Sequence, residues 1–331
     1  MAILTANPQF GGDIAAYIAQ QDLTANPDPT TPAAFTYTPA SAAPVKNAYS
    51  PMDFVDIPDM SAEAEMDNVM GVGYYTRLQR NVAMTKPSLR FTQKLRTSAL
   101  LQSGVRNADG TLNYYSFLTG NGQYARQMSG CLCESMDIDI PFESGAVTVS
   151  MGYQALYGST LAPADVAAAA IPAMTYAPLS LPVYYGYNGI VLIGGDDYTD
   201  YVKRVRISVK HEVERLPTKQ KSISFAGQST VILVSRHLKA KQQVTSLSIE
   251  LYQGIPIANV SVLCRTNPTV AVQLADACHA GRSLGIALTD VSFASDKQNQ
   301  GDATSLLNFS AEADARNFVI VDTPPTTPPT S

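Results

Sequence analysis

The chain has 331 residues, 45% of them hydrophobic and 15% charged, with a formal net charge of −5 from 23 basic and 28 acidic side chains. This length accommodates two domains of ordinary size. The apolar content excludes wholesale disorder, the acidic balance excludes a basic nucleic-acid grip, and no apolar run reaches the roughly 18–20 residues of a membrane span.

Charge this sparse leaves a surface poorly defended against association, so part of it is expected to be covered by copies of the same chain. Seventeen Tyr and no Trp suit contacts that keep one wet end. Met1–Thr5 lacks the basic start and apolar run of a secretory leader. Four cysteines without regular spacing fit reduced thiols in a cytoplasmic setting.

Residues 1–50 form the first unit, and the stretch from 23 to 50 is dominated by Ala, Pro and Thr. Its prolines remove backbone donors and fix φ, which speaks against a helix or a central strand. It reads either as a disordered tail or as an extended arm laid on a neighbouring subunit, with Phe35, Tyr37 and Tyr49 as anchors.

Residues 51–160 read as a first β-rich unit. Asp53–Ile57 is a strand candidate, Leu95–Ser103 a one-sided helical stretch stopped by Gly104, and Tyr114–Leu118 with Tyr124–Met128 a hairpin about Asn121-Gly122. Met136-Asp137-Ile138-Asp139-Ile140 alternates apolar and acidic residues, the period of a strand with one face in a core. Val147–Met151 follows it.

Residues 161–187 return to Ala, Pro and Tyr and read as a connection. Residues 188–323 read as a second unit. It opens with Gly189–Ile193, a Gly-Gly-Asp-Asp turn and a strand over Val202–Val213, in which Val205-Arg206-Ile207-Ser208-Val209-Lys210 again alternates. Strands are expected at Gln228–Val234, Ser246–Leu251, Ile257–Leu263, Leu284–Leu288, Val291–Phe293, Leu307–Ala313 and Phe318–Val321. Asn267-Pro268 carries the signals of a helix start, with Gly281 as its stop. Residues 324–331 are a Pro/Thr tail. The order of elements, more than the letters, suggests a duplicated β-domain with one helix in each half.

No catalytic constellation emerges. His211 begins His-Glu-Val-Glu-Arg, which lacks the second histidine at i+4 of a zinc pair. Cys131 and Cys133 share a strand face, but two thiolates do not close a metal site. Gly71-Val72-Gly73 and Gly194-Gly195 lack the surroundings of a phosphate loop. Asp137 and Asp139 stand on one face, whereas glycosidase carboxylates flank a substrate from two sides. We therefore expect no enzyme, no cofactor and no metal.

The succession Gly189–Ile193, Gly194-Gly195-Asp196-Asp197, Val202–Val209, the closing block Gly285–Ala313 and Asn317–Val321 resembles the tail tube proteins of long-tailed bacteriophages. Residues 129–140 and 145–152 are similar to the mid-region of the larger members, which carry two tube modules in one chain. The resemblance spans roughly 51–323. It implies a mainly β fold of two tandem sandwich or barrel modules, each with a flanking α-helix.

It implies further that chains form rings, a trimer with pseudo-sixfold symmetry or alternatively a hexamer, stacked into a virion tail tube beside other tail proteins. DNA passes through the lumen without specific binding. Such a protein is made in the host cytoplasm. On this reading Asp137 and Asp139 are candidates for the lumen face, where carboxylates repel the DNA backbone, or belong to an ordinary solvent face. Arg204, Arg206 and Lys210 are candidates for a subunit or ring interface. A capsid or other surface-lattice protein is the alternative, and a carbohydrate-binding sandwich a more distant one.

Overall fold

The computed structural model describes residues 15–31, 36–37, 46, 48–52, 59–70, 77–96, 98–121, 124–161, 183–225, 228–252, 266–275, 283–299, 308–314 and 317–323. The fold is mainly β, and its described strands pair antiparallel except for Thr36–Tyr37 with Ala48–Pro51, which run parallel. The first half contains β1 (Ala15–Gln20), β2 (Thr36–Tyr37), β3 (Ala48–Pro51), β4 (Asp59–Met70), β5 (Arg77–Lys94), the helix α1 (Ala99–Gln102), β6 (Tyr115–Asn121), β7 (Tyr124–Pro141), β8 (Thr148–Gln154) and β9 (Tyr157–Leu161). The second contains β10 (Gly189–Ile193), β11 (Asp196–Asp197), β12 (Val202–Arg215), β13 (Thr218–Phe225), β14 (Gln228–Ser235), β15 (Leu238–Leu251), β16 (Val270–Ala275), β17 (Ser283–Thr289), β18 (Ser292–Asn299), β19 (Asn308–Asp314) and β20 (Asn317–Thr323).

The strand β7 organises the molecule. Its first part pairs with β6 and β9, and its second part pairs with β8 and β12. The change of partners falls at Gly130, which has φ +63. An L side chain there would be strained, and a Cβ would lie 2.6 Å from Leu156 Cδ1, so glycine is required twice over. Beyond it, Met136, Ile138 and Ile140 are buried while Asp137 is exposed, the period-two alternation of the sequence.

A run of strands β4-β5-β8-β7-β12-β15-β19-β18 follows from these pairings. Its inner face meets β1 and β6 in the first half, where Phe117 lies 4.8 Å from Tyr153 and Phe91 stacks on Tyr153 at 5.9 Å between ring centroids. In the second half Val205, Ile207, Val209, Leu247 and Ile249 share one apolar cluster with Val191, Val272, Leu274, Leu284 and Ile286 from the separate sheet β11-β10-β16-β17-β20. Each such side chain contributes about 1.5–3 kcal/mol by leaving water.

The pairing scheme runs twice. In the first half β1 pairs with β6, β6 with the start of β7, and that start with β9; in the second β10 pairs with β16, β16 with β17, and β17 with β20. Likewise β4-β5-β8 and the end of β7 answer to β12-β15-β19-β18. The spacing is constant: Ser129↔Tyr157 answers to Thr289↔Asn317, Leu132↔Gln154 to Ser292↔Asp314, and Asp139↔Thr148 to Asn299↔Asn308. Even the irregularities recur. Asp290, with φ 56, stands where Gly130 does, and the register shift between Cys133 and Ser135 is matched between Phe293 and Ser295.

Three expectations are corrected. Residues 1–50 are not a separate arm throughout, because β1 pairs with β6 and β3 of its own chain. The following loop is anchored as well: Gln21 Nε2 donates to Thr31 O at 2.7 Å, and Gly130 N donates to Gln21 Oε1 at 2.8 Å. The prolines cluster after Asn26, and the Ala15–Gln20 strand ahead of them contains none.

Within the helix expected from Asn267 through Ala280, Val270–Ala275 is instead β16, whose Val-Ala-Val-Gln-Leu-Ala alternates buried and outward positions, and 276–280 lie outside the described residues. Period-two burial outweighs a local start signal there. Of Leu95–Ser103 only Ala99–Gln102 is helical, since Leu95 N is bonded to Val147 O at 2.8 Å. A single α-helix thus occurs among the described residues, not one per half. Asp53–Ile57, Ile257–Leu263 and most of the 161–187 connection lie outside the described residues.

Candidate assembly surface

The charged residues picked from sequence come together on one face of β7, β12 and β15. Antiparallel pairing sets Arg206 opposite Asp139, Ser208 opposite Asp137, Lys210 opposite Ser135 and Arg204 opposite Glu250, and residues directly opposite share a face. Arg204 holds Asp139 with both arms of its guanidinium, Nε donating to Oδ1 at 2.6 Å and Nη2 to Oδ2. The bond to Asp139 raises the Arg204 pKa above the ordinary guanidinium value. Arg206 bridges Asp139 at 3.6 Å and Glu250 at 3.8 Å.

Arg204, Arg206 and Asp139 are therefore engaged within the chain. Asp137 and Lys210 are exposed. The register extends the same face to Lys94 and Arg90, opposite Thr148 and Gly152. Its charges, Arg90, Lys94, Arg204, Arg206 and Lys210 against Glu134, Asp137, Asp139 and Glu250, are mixed. An acidic lining built on Asp137 and Asp139 does not describe this face.

A trough of about 640 Å³ in this face is lined by Arg90, Glu134, Asp137 and Lys210, by the small residues Ser135, Ser150 and Gly152, and by His211. His211 is buried, its Nε2 lies 2.8 Å from Gly104 O, and its Nδ1 has no partner. Burial lowers its pKa, and the Gly104 bond only partly offsets this. Cys131 and Cys133 are free and fully buried, and burial pushes both thiols far up. Among the described residues no group of three or more His, Cys, Asp or Glu could hold a metal, and no helix is long and apolar enough to cross a membrane.

Of the expected anchors, Phe35 lies outside the described residues and Tyr37 belongs to the short strand β2. Tyr49 is buried within its own chain at 3% exposure, and Gln127 Nε2 donates to its hydroxyl at 3.3 Å. Burial pushes that phenol up to about 12, so it is no free anchor for a neighbour.

Sequence reading missed a clasp between the start of the chain and the β13–β14 hairpin. Lys219 Nζ donates to both Asp28 oxygens at 2.8 and 2.7 Å, and Lys221 Nζ donates to Thr30 O at 2.7 Å while lying 3.9 Å from the centre of the Tyr157 ring. Desolvation pushes Asp28 up, but the bonds from Lys219 and Thr30 outweigh it and hold the carboxyl at about 2. It also missed that β4 and β18 end the long sheet path with one neighbour each among the described strands. Equal spacing of the two halves carried that signal, in backbone pairing and not in residue type. No protein-family model matches this sequence, and no curated protein is significantly similar to it.

Proposed function

We propose that this chain is a structural subunit of a phage tail tube, assembling head to tail into rings that stack around a DNA-conducting lumen. The observation that carries the reading is the pairing scheme that runs twice, its two copies joined by β7 and β12 into one sheet path. A unit that already joins its own duplicate edge to edge has solved the geometry for joining further copies. An unpaired sheet edge invites pairing, and closure of the path removes it. Heterologous contacts of this kind close into a ring when the rotation fits.

Each half is then one tube module, and three chains give a six-module ring. The sparse charge and the mixed charges of the β7–β12 face agree with a wall made from the chain's own copies. DNA passage rests on the resemblance to tail tube proteins, not on any binding group. Electron microscopy of the concentrated protein tests the reading. Hollow tubes or stacked rings are expected, whereas flat lattices or closed shells would favour a capsid-type protein and contradict a tube.

A further inference from the structure

We infer that β18 of one chain joins β4 of the next, in the register that β7 and β12 use within the chain. The inference rests on the assembly proposed above and names its joint. The correspondence between halves sets β18 in the place of β7 and β4 in the place of β12. Position 135 answers to 295, 137 to 297 and 139 to 299 through the pairings with β8 and β19. Position 206 answers to 59, 208 to 61 and 210 to 63 through the pairings with β5 and β15.

The joint within the chain pairs Asp139 with Arg206, Asp137 with Ser208 and Ser135 with Lys210. Carried over, the same register pairs Asn299 with Asp59, Lys297 with Ser61 and Ser295 with Glu63 of the next chain. Among the described strands β18 and β4 are the two ends of this sheet path, so one donates the edge that the other accepts, and the contact is heterologous.

Charge supports this occupant. Within the chain the acidic residues sit on β7 and the basic ones on β12. Between chains the sense is reversed: Lys297 of β18 falls diagonally between Asp59 and Glu63 of β4, within the reach of cross-strand neighbours. The same strand carries Asp296 and Gln298 where β7 has Met136 and Ile138. A charge at such a position on an edge strand disfavours indiscriminate pairing and leaves β4, with its two carboxylates about Lys297, as the matched partner.

Cysteine cross-linking tests the register. In the full chain carrying Cys264→Ser and Cys278→Ser, Ser61→Cys and Lys297→Cys are introduced in separate preparations, mixed under assembly conditions and oxidised, with particle form followed by electron microscopy. Cβ atoms directly opposite in an antiparallel pair are about 4.5–5.5 Å apart, near the span of a disulfide. The mixture is expected to give a covalent dimer that neither preparation gives alone, and Met60→Cys with Lys297→Cys is expected to give none.

Assembled tubes without the Ser61–Lys297 link would overturn this joint and leave the tube reading standing. Monomers without any link would overturn both. Lys297→Glu supplies a second readout: assembly should be lost, and restored when Asp59→Lys and Glu63→Lys are added. A folded Lys297→Glu chain that assembles as well as the parent contradicts the register.

Discussion

His211 couples one buried atom to the pH range in which the protein is stable. Its pKa in the fold lies below the ordinary 6.5, because burial disfavours the cation. The unfolded chain therefore takes up a proton first as pH falls. The contribution is complete above about pH 6.5 and is lost progressively as pH drops from there toward the folded-state value. The urea midpoint should fall between pH 7.5 and pH 5.5, and less steeply in His211→Gln. Equal slopes in the two proteins would remove His211 from the account.

Gly130 and Asp290 allow a second comparison, since both hold a left-handed backbone at equivalent points. Gly130→Ala meets both the positive φ and the Leu156 side chain, so a loss of about 2–4 kcal/mol in chemical denaturation is expected. Asp290→Gly should leave stability unchanged or slightly higher. A harmless Gly130→Ala would mean that β7 can change partners at this point without a left-handed residue. Asp28→Ala, which opens the clasp to Lys219, should cost about 1 kcal/mol, because the pair is partly exposed and screened by water.

Among the strands, the junction of β7 and β12 decides whether the halves behave as one body or two. Its amides should exchange with deuterium as slowly as those between β5 and β8, because the apolar cluster runs unbroken beneath both. Fast exchange confined to β7 and β12 would mean that the halves open apart.

These strands were also the most legible parts of the sequence. Gly189–Ile193 is β10 to the residue, and the 136–140 and 202–213 alternations fall inside β7 and β12. A half-buried strand writes its two faces directly into the sequence. Residues 267–275 misled because Asn-Pro is a local signal, whereas β10, one of the two partners of β16, is distant in the chain. The Asp139 ion pairs were not legible as such. Opposite charges on two alternating strands say nothing of register until the strands are paired.

In the molecule as a whole, the repeated scheme stands apart from any repetition of letters. Met136 answers to Asp296 and Gly130 to Asp290, so identity is low where the backbone agrees. Strand pairing and the positions of the bulges recur, while residue types differ even at a position as buried as Met136.

One sheet path runs from half to half and, as inferred above, from chain to chain, and a three-dimensional reconstruction of the assembled particle by electron cryo-microscopy tests that continuity most directly. It should reveal a closed wall in which the step from first half to second nearly equals the step from one chain to the next, with β18 beside β4 of its neighbour. A particle whose chains meet through other surfaces, leaving β4 and β18 open to solvent, would contradict it.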